Sequence, residues 1–94
     1  MKIKVCGITR EEDIAELLLA GVDFIGFNFI KSSPRYIDIN WAVKIISRYN
    51  IQKKAVPLCE ISDLKTVHHK LKNLDLPFYQ IYKVHDSVNQ IEKI

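Results

Sequence analysis

The residues able to do chemistry are few, and their positions along the chain say more than their number. Cys6 stands at the end of an apolar run, Ile3 to Cys6, and is followed at once by Gly7. A thiolate at the C-terminal end of a strand could serve as base or nucleophile, because parallel α/β folds gather their active groups at that end. By the two-residue period of a strand, Cys6, Lys4 and Lys2 share one face, which places ammonium groups on the sulfur's side. The competing reading is a small buried hydrophobe, the commoner fate of a lone cysteine. Arg35 lies in a loop, Lys31-Ser32-Ser33-Pro34-Arg35-Tyr36, stiffened by Pro34. A guanidinium there could hold a carboxylate or phosphate through two parallel hydrogen bonds, and the alternative is a solvated loop arginine.

Other reactive types carry less. Cys59 ends a third apolar run and His85 follows a fourth, but with Cys6 they show none of the compact spacings of a zinc site. His68 and His69 sit mid-helix, one exposed and the other partly packed. Glu11, Glu12 and Asp13 occupy a first helical turn, where the dipole favours negative charge without any catalytic role. Phe24, Phe27 and Phe29 read as core. Gly21 and Gly26 are too far apart for a phosphate loop, so neither a metal nor a cofactor is expected.

Short β-rich runs alternate with helical patterns, and these are the elements that must position Cys6 and Arg35. Ile3–Cys6, Asp23–Phe29, Lys54–Cys59 and Pro77–Lys83 read as strands. Thr9 and Glu12 have capping-box spacing before a helix whose buried stripe is Ile14, Leu17, Leu18 and Gly21. Asp38 caps a second helix burying Ala42, Ile45, Ile46 and Tyr49. Ser62 caps a third bearing Leu64, Val67 and Leu71, and Ser87 begins a fourth. The order β-α-β-α-β-α-β-α predicts parallel strands with right-handed crossovers, as an open doubly wound sheet or as part of a barrel.

Composition narrows the class. The 94 residues are 48% hydrophobic and 27% charged, as in a globular domain. That is less than half of the ~200 residues of a minimal eight-stranded α/β barrel. Fourteen basic and eleven acidic residues give a net charge of +3, with no basic run longer than Lys53-Lys54, so nucleic acid is not an expected partner. Leu17 to Ala20 is cut off by Gly21 and Asp23, far short of a membrane span, and two cysteines without an export signal point to reduced thiols in the cytoplasm. Without a Cys-x-x-Cys pair or a phosphate loop, a small thiol-redox or nucleotide-binding protein is disfavoured.

Three segments resemble one family. Lys4-Val5-Cys6-Gly7-Ile8-Thr9-Arg10, Gly21-Val22-Asp23-Phe24-Ile25-Gly26-Phe27 and Ser33-Pro34-Arg35-Tyr36 are similar, in order and spacing, to the opening motifs of the phosphoribosylanthranilate isomerases. The resemblance is close over residues 2–48 and fainter beyond. It implies half of a TIM (βα)₈ barrel, with residues 1–94 a single truncated (βα)₄ domain. It also implies the Amadori rearrangement of a phosphorylated sugar–anthranilate in tryptophan biosynthesis, with Cys6 as general base and Arg35 holding the anthranilate carboxylate.

The departures are specific. Gln80-Ile81-Tyr82-Lys83 stands where the family has Gln-Leu-His-Gly, and Ala55-Val56-Pro57-Leu58-Cys59 replaces a Gly-Val-Phe-Val-Asn type run. Pro57 removes an N–H that a central strand uses. The family's general acid and phosphate loops lie on later strands. Half a barrel would leave strands one and four with open edges and its inner face uncovered, which predicts a homo-oligomer or a complementary half-barrel chain. Weak or absent activity of the chain alone is therefore expected, and the rival class is a non-catalytic remnant or interaction module.

Overall fold

The computed structural model describes residues 1–83 and 86–92. Four parallel strands, β1 (Lys4–Cys6), β2 (Phe24–Asn28), β3 (Ala55–Glu60) and β4 (Tyr79–Lys83), lie side by side in chain order. Helices α1 (Glu11–Ala20), α2 (Ile39–Tyr49) and α3 (Leu64–Leu71) connect them. This is the α/β architecture of a partial barrel. A fifth strand, β5 (Asp86–Glu92), runs antiparallel along the outer edge of β4, where a helix starting at Ser87 was expected. An open β4 edge offers a row of unpaired N–H and C=O groups, and an adjacent segment that folds back satisfies them more cheaply than a helix without a face to bury. His85 lies outside the described residues.

The helices form where their apolar stripes can cover one face of the sheet. Ile14, Ile45, Ile46, Val67 and Leu71 pack there against Ile25, Phe27, Ala55, Cys59 and Tyr79. Asp38 caps α2 by accepting from the Asn40 N–H at 2.8 Å and the Trp41 N–H at 3.3 Å. The other two expected caps are not made. α1 begins after Arg10, which offers no capping side chain and instead pairs with Asp13 at 3.0 Å, so Thr9 stays in the turn leaving β1. Three acidic residues in the first turn stabilise that end without a cap. Ser62 falls inside a 3-10 turn, Ile61–Asp63, that leads directly into α3. Gly21 ends α1 at φ 75°, its N–H donating to the Leu17 and Leu18 carbonyls, a left-handed turn natural to glycine.

Pro57 is fully buried in β3 at no cost to the ladder. The carbonyls of Lys54 and Leu58 accept from Ile25 and Phe29 of the β2 side, so alternation turns position 57 toward β4. Pairing with β4 begins only at Leu58, beyond the missing N–H.

The other face is concave and is not bare. Val56 and Leu58 are buried on it at 1% and 3% exposure, although neither belongs to the core beneath the helices. Lys4 of β1 reaches across to Gln80 of β4, and Phe24 meets the Phe78 ring edge-on at 5.7 Å. The strong curl of the sheet closes what flat geometry would leave open.

Candidate functional site

Cys6 ends β1 on the concave face, half-buried and in register with Gly26 of β2. That glycine makes room for the sulfur: a Cβ at position 26 would stand 2.9 Å from Cys6 Sγ and 3.0 Å from Leu58 Cδ1. The chain then turns at Gly7 with φ +82°, a conformation that side chains disfavour. A second constraint bears on the same residue, because a Cβ there would fall 2.3 Å from Arg35 Cδ and 2.6 Å from its Nη1. Arg35 lies across Gly7, and its Nη1 donates to the Cys6 carbonyl at 3.4 Å. The structure thus brings together the two residues singled out in the sequence, Cys6 at the end of β1 and Arg35 in the loop after β2, 29 positions apart.

The loop carrying Arg35 is shaped by its own polar groups. Asn28 Oδ1 accepts from the Ile30 N–H at 2.8 Å, and its Nδ2 donates to Ser33 Oγ at 3.1 Å. Ser33 Oγ also accepts the Arg35 N–H at 3.1 Å, and the Ile37 N–H returns to the Asn28 carbonyl at 3.0 Å. The guanidinium is therefore aimed by backbone, with one N–H on Cys6 and the rest of its planar fork open among the described residues, as a carboxylate requires.

A second polar group lies deeper on the concave face. Gln80 is buried, accepts from Lys4 Nζ and donates through Nε2 to the Tyr82 hydroxyl at 3.2 Å. Burial first, and then the charge of Cys6, pushes the Tyr82 phenol above its ordinary titration range.

The remaining candidates stand elsewhere. Cys59 faces the helices, fully buried, and its thiol is pushed up to about 11 by burial and by Asp63. His68 lies edge-on to Tyr79 at 5.7 Å, while His69 is exposed. No group of three His, Cys, Asp or Glu able to hold a metal occurs among the described residues. A cavity of about 210 Å³ between Phe29, Ile39 and Val67 includes neither Cys6 nor Arg35. No described helix is long and apolar enough to cross a membrane.

Gly7, Asn28 and Ser33, which shape the surroundings of Cys6 and Arg35, and Gln80 on the concave face were not singled out as candidates in the sequence. A glycine directly after a strand-end cysteine was the available signal for the first, and an asparagine at a strand end followed by serines for the loop. Nothing local marks Gln80, whose partner is 76 residues away.

The chain has clear relatives. It is 56% identical over 46 residues to N-(5'-phosphoribosyl)anthranilate isomerase of Chlorobaculum tepidum, covering 49% of this chain and 21% of that protein. It is 36% identical over 93 residues to the tryptophan biosynthesis protein TrpCF of Yersinia pestis, covering 97% of this chain and 19% of that one. The crystal structure of monomers generated from the dimeric phosphoribosylanthranilate isomerase of Thermotoga maritima superposes with a TM-score of 0.77 at 25% identity. That match covers 89% of this chain and 43% of the other. The matched stretches thus amount to about a fifth of the length of each of these two curated relatives. No family model matches it.

Proposed function

We propose that this chain, a homologue of the N-terminal part of the phosphoribosylanthranilate isomerases, supplies the base-bearing half of that enzyme's active site in the cytoplasm. The substrate is N-(5-phosphoribosyl)anthranilate. Cys6 is the general base and Arg35 the holder of the anthranilate carboxylate. One observation carries this reading: the guanidinium lies over Gly7 against the carbonyl of Cys6, so base and carboxylate fork adjoin at the end of β1. In the rearrangement a proton reaches the ring oxygen, the C1′–O bond breaks and the nitrogen lone pair forms an iminium. The Cys6 thiolate then takes the C2′ proton, and the resulting enol–enamine tautomerises to the aminoketose. The acid and the phosphate-binding loops are supplied by the complementary half of the barrel.

The test is isomerase turnover, followed by loss of substrate fluorescence, with Cys6→Ser alongside. The chain alone shows no turnover above the mutant, because lacking a general acid forfeits a factor of ~10²–10⁴ and lacking phosphate binding adds to it. Mixed with a chain carrying strands five to eight of a relative, it gains turnover that Cys6→Ser abolishes. Equal turnover of mutant and wild type in that mixture would overturn the assignment.

A second reading is a non-catalytic interaction module. The observation favouring it is the pairing of β5 along β4, which occupies the edge that a fifth parallel strand would use. Failure of any complementary half to bind would decide for it.

A further inference from the structure

The cavity of about 210 Å³ on the helix side of the sheet takes no part in the site at Cys6 and Arg35. One wall is a single face of α3, since Asp63, Val67 and Lys70 recur at i, i+4 and i+7. The other is the stretch after β2, with Phe29, Lys31 and Tyr36, together with Ile39 at the start of α2. The floor is apolar: Phe29 and Val67 belong to the core and are buried at 5% and 6% exposure. Tyr36 adds an aromatic ring to the lining and is 43% exposed. Each wall carries one exposed lysine, Lys31 on one and Lys70 on the other. The ion pairs among the described residues are Arg10–Asp13 and Arg48–Glu11, so neither ammonium is neutralised, and Asp63 is not paired either. The lining thus sets two cations and one anion over an apolar floor. Close-packed interiors leave few voids larger than a water molecule, and an apolar cavity of roughly 150 Å³ holds benzene. At about 210 Å³ there is room for one six-membered ring with a small substituent.

We propose that this cavity is a binding site for a monocyclic aromatic carboxylate: the ring lies on Phe29, Ile39 and Val67, and the carboxylate meets the ammonium groups of Lys31 and Lys70. An inorganic anion would use the lysines and leave the apolar floor wet. A neutral ring would cover the floor and leave two like charges beside it. Only a ligand with both parts satisfies both halves of the lining, by apolar burial and by charge-assisted hydrogen bonds. Asp63 further favours a ring that carries a donor, an amino or hydroxyl group. The site shares no lining residue with Cys6 or Arg35, so it does not depend on Cys6 being the base of the proposed isomerase.

The labelled methyl groups of Ile39 and Val67 report the floor of the cavity by NMR, and the probe is benzoate. Both resonances shift saturably with a Kd of about 1 mM, the range open to a ligand of so few atoms. No shift at about ten times that concentration would overturn the proposal. Lys31→Met and Lys70→Met keep the apolar stems at exposed positions. Each weakens binding about threefold, the size of a partly exposed ion pair, and the two together about tenfold. An unchanged affinity in the double variant, with native circular dichroism, would refute the anion contact. Benzamide, the neutral counterpart, binds about tenfold more weakly, and equal binding would do the same. Inorganic phosphate leaves both methyls unmoved; if it shifts them as benzoate does, the cavity is a bare anion site and the proposal fails. Arg35→Ala leaves the benzoate titration as it is. Loss of the methyl shifts in that variant would put the ligand in the site already described and overturn the proposal. None of these readouts uses turnover, so the isomerase reading can fail on Cys6→Ser while this one stands, and the reverse.

Discussion

Gly7 answers two demands at once, a left-handed backbone at φ +82° and the volume filled by the Arg35 side chain. Gly7→Ala meets both penalties. We expect a loss of about 1–3 kcal/mol in chemical denaturation, and weaker retention of anthranilate by the complemented enzyme as Arg35 is pushed off the Cys6 carbonyl. The two thiols are distinguished by face. Cys59 is fully buried and its thiol pushed up to about 11, whereas Cys6 is half-buried at a strand end. Native protein treated with a thiol reagent at pH 8 therefore modifies Cys6 first and Cys59 only on unfolding, which mass spectrometry of the peptides would show.

Between elements, α1 and α2 are tied by one polar cluster. Arg48 Nη1 donates to Glu11 Oε1 at 2.7 Å and Oε2 at 2.6 Å, and the Tyr49 hydroxyl donates to Oε2 at 3.0 Å. The Arg48 hydrogen bond first, and the Tyr49 hydroxyl second, hold the Glu11 carboxyl below its ordinary value of 4.5. A depressed folded value means that the stabilisation is fully present above the unfolded value and is lost as the pH falls through the folded one. Thermal melts should thus show a stability loss on acidification below about 4.5 that Glu11→Gln removes in part, while Glu11→Gln lowers stability at neutral pH. The pair is solvent-exposed, so salt should shrink the difference. Asp38→Ala acts on a single helix end. It removes the acceptor of two N–H groups and should cost about 1 kcal/mol by the same melts.

For the whole molecule, the decisive contacts span the sheet. A complementary half-barrel would need the outer edge of β4, which β5 occupies in antiparallel register from Tyr79↔Glu92 to Lys83↔Asp86. Complementation therefore displaces β5. Hydrogen exchange should show loss of amide protection over residues 86–92 as the complex forms, with protection retained in β2 and β3. Retained protection in β5 of an active complex would mean that the two halves join only at the free edge of β1.

The elements were legible because their signals are local. The apolar runs of four strands, the stripe Ala42, Ile45, Ile46, and the Asp38 cap each follow from a few neighbouring residues. So did the candidates Cys6 and Arg35, whose motifs hold their order along the chain. Helix starts were less legible, since Thr9 and Ser62 satisfy the same capping pattern as Asp38 but lose to the turn geometry after β1 and β3. The cost assigned to Pro57 depended on where pairing with β4 begins, a register that no single strand carries. The segment from Asp86 pairs as a strand because β4 offers an edge, which is a property of the assembled sheet. The sequence alone determined that the chain alternates strands with helices and places a thiol at one strand end and a guanidinium after another. Only the tertiary structure decided that Arg35 lies on Gly7 beside Cys6, and that Lys4 meets Gln80 over the concave face. Both depend on curl and crossover, which bring together side chains 29 and 76 positions apart, beyond the reach of any local periodicity.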